Sequence, residues 1–198
     1  IPPAADQHII VERGLVGDSP EERAAKYWYQ ATVRYVDGML TNGAGTPIAQ
    51  PGVFTYQANK FWDTRENRNV DVVQIDIAAM LAGGYRPPNG ILYVTNNLGD
   101  RPVVRIINGG TLPNGGLTIV TDLPMYVKGN FNNVTKKGAS LYCDAMTLLS
   151  PAWNDAISNG PLNNRIPSNQ TVNAGILTGH VPSADGGNYS GGLENNFR

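Results

Sequence analysis

Two stretches decide the fold: Thr118-Ile-Val-Thr-Asp-Leu-Pro-Met-Tyr-Val127 and Leu141-Tyr-Cys-Asp-Ala-Met-Thr-Leu-Leu149. Each is an apolar, β-type run that Asp122 or Asp144 interrupts by a residue or so. Aspartate tolerates left-handed backbone and bonds its own main chain, so it suits a corner. The interruption is too short for a reversal with good hairpin pairing. The two runs also resemble each other, strand-Asp-strand, about one rung apart. They therefore predict a chain that bends at each aspartate and climbs.

The same grammar extends on both sides. Ile91–Thr95, Val103–Ile107, Leu117–Val120, Met125–Val127, Ser140–Cys143 and Ala145–Leu149 read as short strands. Turn residues separate them: Asn96-Asn97, Asn108-Gly109-Gly110, Pro113-Asn114-Gly115-Gly116, Lys128-Gly129-Asn130 and Ser150-Pro151. The expected fold is mainly β: a short right-handed parallel β-helix, or solenoid, with a β-sandwich of tight hairpins as the alternative.

Upstream, Ser19-Pro20-Glu21-Glu22 is a capping box with proline at the first helical position. Ala24, Tyr27, Trp28, Ala31 and Tyr35 follow at helical spacing. This predicts one helix over 19–36 whose aromatic stripe docks on the sheet and caps the solenoid, because open solenoid ends expose unpaired backbone. Val70 to Leu81 reads as a strand passing into a short helix that Gly83-Gly84 ends. The expected organisation is an N-terminal extension over 1–60, a β-solenoid core over 61–160, and an irregular segment with a glycine-rich tail over 161–198.

Composition narrows the function. The 198 residues suit one domain, and 41% are hydrophobic, enough for a packed core. Net charge is −1 with 16% charged residues, which argues against a sequence-independent nucleic-acid binder. The 23 glycines and 14 prolines disfavour a helical bundle. Cys143 is the only cysteine, so neither an intrachain disulfide nor a cysteine zinc site can form, and its apolar surroundings predict a small buried hydrophobe. No run is long enough to span a membrane. The chain opens Ile1-Pro2-Pro3 without an initiator methionine, so the expectation is a processed or trimmed end.

No phosphate loop and no nucleophile elbow is present, and the two histidines, His8 and His180, lie near the ends. No cofactor and no metal site is expected: Asp185-Gly-Gly-Asn188 and Asn96 to Asp100 lack calcium-loop spacing. Asn133-Val-Thr135, Asn169-Gln-Thr171 and Asn188-Tyr-Ser190 fit the glycosylation pattern, as an Asn-rich chain does by chance. Paired carboxylates are the best enzyme case. Asp71 and Asp76, or Asp122 and Asp144, would serve a carbohydrate-active enzyme if they faced one groove about 5–9 Å apart. Asp122 and Asp144 are equally explained as corner residues. The binding alternative uses Tyr126, Asn130, Asn132, Asn133 and Tyr142 as an aromatic and amide face for glycan.

Gly116 to Asn132, then Lys136-Lys137 and Ala139 to Trp153, resembles a block of large exported bacterial proteins of the PilX-type pilus-assembly family. The resemblance extends to Phe61–Glu66, Asp76–Ala78, Asn89–Val94 and Gly187–Glu194, and so covers roughly 60–196. It implies a surface-exposed solenoid behind an N-terminal anchor helix, a helix not found in this sequence, and it carries over no catalytic residues. The expectation is a non-enzymatic extracellular structural or adhesive module of a pilus or cell envelope. Its expected partners are further copies of itself, other envelope proteins, or glycan.

Overall fold

The computed structural model describes residues 9–49, 52–179 and 192–194. Ser19 caps α1 (Pro20–Ala25) through the expected capping box. The helix stops at Lys26, whose backbone is extended, and α2 (Tyr27–Gln30) is a separate single turn. Two hairpin pairs follow: β1 (Val33–Val36) with β2 (Met39–Asn42), then β3 (Phe54–Asp63) with β4 (Arg68–Asp76). Strand β4 runs straight into α3 (Ile77–Ala82), the strand-to-helix passage read from Val70 to Leu81.

The six β-type runs between 91 and 149 are all strands: β5 (Ile91–Thr95), β6 (Pro102–Ile107), β7 (Leu117–Val120), β8 (Met125–Lys128), β9 (Ala139–Tyr142) and β10 (Ala145–Leu149). Two three-residue strands complete the order, β11 (Gly175–Leu177) and β12 (Gly192–Glu194). The first sheet runs β11-β9-β7-β5-β1-β2 and the second β12-β10-β8-β6-β4-β3. Pairing is parallel throughout, except for the terminal hairpin of each sheet. From β5 onward successive strands alternate between the sheets, so Asp122 and Asp144 each sit where the chain leaves the first sheet for the second.

This corrects the expected architecture. The chain is a mixed α/β fold of two mostly parallel sheets, with three short α-helices among the described residues. It is not the short right-handed parallel β-helix with one capping helix, and parallel pairing also overturns the β-sandwich. The 19–36 helix breaks up because Ala31-Thr-Val-Arg-Tyr-Val36 is β-branched and alternates buried with half-buried residues, a period of two. Tyr35, expected on the helical stripe, lies in β1 opposite Val94 of β5. The loops and short strands expected before residue 60 include the ten-residue β3, which crosses position 60.

The main core lies between the sheets. Val73, Ile75, Val104 and Ile106 of the second sheet meet Leu92, Val94, Ile119 and Leu141 of the first, all fully buried. The outward faces are covered too. Val11, Tyr27 and Trp28 pack on Tyr93 and Val120 outside the first sheet. Phe61 and Trp153 pack on Val72, Val103, Tyr126 and Leu149 outside the second. A strand buried on both faces has no polar alternation, which is why these runs read as continuously apolar.

Two charged clusters hold the covering segments. Lys26 Nζ lies 2.7 Å from Asp18 Oδ1 and 3.6 Å from Glu12, and donates to the Arg13 carbonyl. Outside the second sheet, Arg105 Nη1 pairs with Asp155 at 2.7 Å and its other nitrogens donate to Gln74 Oε1. Trp153 Nε1 donates to the same Asp155 oxygen, tying the 151–165 segment to the sheet.

Candidate functional site

The described residues form an open groove of about 810 Å³. It lies at the carboxyl ends of four successive strands of the second sheet: β4, β6, β8 and β10. In parallel α/β sheets this is where ligands bind, because loops from adjacent strands emerge side by side. From β4 come Gln74 and, through α3, Ala78 and Leu81. The loop after β6 supplies Asn108 and Thr111, that after β8 supplies Lys128, Asn130 and Asn133, and Pro151 follows β10.

Local backbone chemistry shapes these loops. Asn108 and Asn132 turn the chain in left-handed conformation, at φ 55° each, and Gly129 does so at φ 80°. Asn132 is buried: its Nδ2 donates to the Lys137 and Asn173 carbonyls, and its Oδ1 accepts from the Lys137 amide. Beside it Phe131, fully buried, plugs the core and pairs with Val172. Asn130 Oδ1 accepts from the Thr171 amide at 2.8 Å. Asn133 and Val134 stand exposed on the rim.

Among the expected binding residues, the structure brings Asn130 and Asn133 together in this groove. Asn132 lies beneath it as a staple. Tyr126 is buried on the outer face of the second sheet, with its ring edge-to-face on Phe61 and its hydroxyl donating to Asp63. Burial, reinforced by Asp63, pushes its hydroxyl well above the usual tyrosine range. Tyr142 belongs to the first sheet and meets Tyr27 edge-to-face at 5.1 Å. The two tyrosines therefore lie on different sheets, away from the asparagines.

The carboxylates of Asp71, Asp76 and Asp122 are taken up within the fold. Asp71 accepts the Asn59 amide on Oδ1 and the Asp100 amide on Oδ2. Asp76 caps α3 through the Ala79 amide, and its other oxygen accepts from Asn108 Nδ2. Five residues apart on one strand, Asp71 and Asp76 are separated by roughly 16 Å and point to opposite faces. Asp122 and Asp144 sit on equivalent, stacked turns. Asp122 accepts from Thr95 Oγ1 at 2.5 Å and pairs with Arg13 at 2.6 Å. Asp144 donates its amide to the Leu123 carbonyl and accepts the Gly179 amide on its own.

Cys143 is fully buried in the main core, and burial pushes its thiol far up. His8, His180, Asp185 and the Asn188 triplet lie outside the described residues. No group of three or more potential metal ligands occurs among the described residues. No helix among them is long and apolar enough to cross a membrane. Sequence reading missed Lys128, Asn108 and Thr111 as groove residues. The available signal was their shared place, directly after an apolar run and beside a glycine turn.

No family model matches the chain, and neither a curated protein nor a solved structure matches it.

Proposed function

We propose that this protein is a non-enzymatic extracellular structural or adhesive module of a pilus or cell-envelope assembly. The observation that supports this best is where the carboxylates go. Asp71, Asp76 and Asp122 each spend both oxygens on hydrogen bonds or ion pairs within the fold. A general acid or base needs an oxygen that substrate can reach. The groove at the carboxyl ends of β4, β6, β8 and β10, by contrast, is lined by amides, apolar side chains and one lysine, with no carboxylate among its described lining residues.

The sheets' ends support association. Residues 46–48 fold back on β2 through the Asn42–Thr46 and Ile48–Leu40 hydrogen bonds, covering that edge. At the opposite end of the same sheet β11 is the last strand. A terminal strand templates pairing with another chain. The test is light scattering of the purified chain across concentrations, with negative-stain microscopy. End-to-end oligomers or filaments support the structural reading, and a strict monomer at every concentration overturns self-assembly and leaves the adhesive one.

A further inference from the structure

We propose that Asn114-Gly115, in the turn before β7, is a self-modifying site at which the asparagine converts to aspartate and isoaspartate without an enzyme. The inference stands apart from how the chain assembles.

The reaction needs only the chain and water. The Gly115 nitrogen attacks Asn114 Cγ and an N–C bond forms. The Cγ–Nδ2 bond breaks, and Nδ2 leaves as ammonia with the proton lost from the Gly115 nitrogen. The cyclic imide then takes up one water. Breaking the new Cγ–N bond gives aspartate. Breaking the original peptide C–N bond gives isoaspartate, which carries the main chain through Cγ. Nothing is oxidised or reduced.

Glycine lacks a Cβ and leaves its nitrogen open to such attack. The sequence offers five asparagine-glycine pairs, beginning at Asn42, Asn89, Asn108, Asn114 and Asn159. The fold silences three of them. The Gly43 amide donates to the Thr32 carbonyl, that of Gly90 to Pro87 and that of Gly160 to Ile157, each at 2.8 Å. An amide so engaged keeps its proton and is held in place by its acceptor. At the fourth pair Gly109 is buried, and Asn108 Nδ2 donates to the Asp76 carboxylate at 3.0 Å. That negative charge opposes the one that would develop on the neighbouring Asn108 oxygen.

Asn114-Gly115 reverses each of these conditions. Both residues are exposed to water. The turn closes through the Gly116 amide on the Pro113 carbonyl at 3.1 Å, and the Gly115 amide has no hydrogen-bond partner among the described residues. A cation also stands on each reacting group. The Arg86 guanidinium donates to the main-chain carbonyl of Asn114, which shares a peptide unit with the attacking nitrogen. A positive charge there favours loss of the proton from that nitrogen. Lys137 Nζ donates to Asn114 Oδ1 at 2.7 Å, the oxygen on which negative charge develops. Only glycine suits position 115: its φ is 91°, and a Cβ would strike the Arg86 guanidinium. Conversion to aspartate turns the Lys137 hydrogen bond into an ion pair.

The test is incubation of the full chain in mildly alkaline water enriched in heavy oxygen, followed by peptide mass mapping that separates aspartate from isoaspartate. Heavy oxygen should enter at position 114 first, roughly fivefold or more ahead of the other four asparagines. Lys137→Met and Arg86→Met should each slow the site by about fivefold, the loss of one hydrogen bond from a cation, with the circular dichroism spectrum unchanged. Lys137→Arg should keep the rate. In concentrated urea the five pairs should converge, because the fold supplies the ranking. That comparison uses the wild-type chain alone and stands whether or not the variants fold. A different pair leading in the folded chain, a lead of position 114 that persists in urea, or a folded methionine variant that modifies as fast as wild type would each overturn the assignment.

Discussion

Asp18 shows how one side chain anchors a covering segment. The hydrogen bond from Lys26, helped by the Leu15 amide and Tyr29, holds its carboxyl down to about 2. Burial pulls Lys26 the other way, but Asp18 and Glu12 outweigh it and the ammonium stays raised. The carboxyl's folded value is depressed, so its contribution to stability is full above the unfolded value near ~4 and vanishes as pH falls through about 2. Urea midpoints measured between those pH values should fall for the wild type and fall less steeply for Asp18→Asn. Parallel slopes would show that this pair does not couple to folding. Cys143 makes a second case. A buried thiol pushed far above its ordinary value supplies almost no thiolate. It should stay unreactive to a thiol-specific disulfide reagent in the native chain and react within the unfolding time in denaturant.

The turns after the second-sheet strands organise the next scale. Asn132 combines left-handed backbone with a buried amide that bonds Lys137 and Asn173, so it joins the β8 turn to the strand-like segment around Val172. Asn132→Ala forces a Cβ residue into left-handed backbone and orphans those partners, a cost of roughly 2–4 kcal/mol. Asn132→Gly restores the backbone freedom and should recover about 1 kcal/mol of it in the same urea titration. Equal costs for the two variants would place the whole effect in the side-chain bonds. Gly116 is the matching constraint under the first sheet. At φ 85°, a Cβ there would strike the Gly138 carbonyl, so the strands at that turn can approach only because the residue is glycine.

At the scale of the molecule, the two sheets share one core and each outer face has its own cover. The Tyr35 and Phe54 rings stack at 4.7 Å across the β1/β3 end, while β11 leaves the first sheet's other end as a short terminal strand. Ile176 in β11 is 39% exposed. A lysine at an edge strand blocks pairing with a second chain. Ile176→Lys should therefore shift light-scattering mass toward monomer with the circular dichroism spectrum unchanged, and an unaltered oligomer distribution would move the contact away from this edge.

Short-range chemistry determined much of this protein in the sequence itself. The capping box of Ser19, the six apolar runs from Ile91 to Leu149, the strand-to-helix passage at Asp76 and the turns at Asp122 and Asp144 depend on neighbours within a few residues. Tertiary structure decided the rest. Val33 to Val36 became a strand because β5 offered it a partner. The runs could not declare which sheet each joins, since a strand buried on both faces loses the polar alternation that marks a face. The groove brings Ala78, Asn108, Lys128 and Pro151 together from a stretch of 74 residues, and only the parallel stacking of four strands places those side chains along one trough.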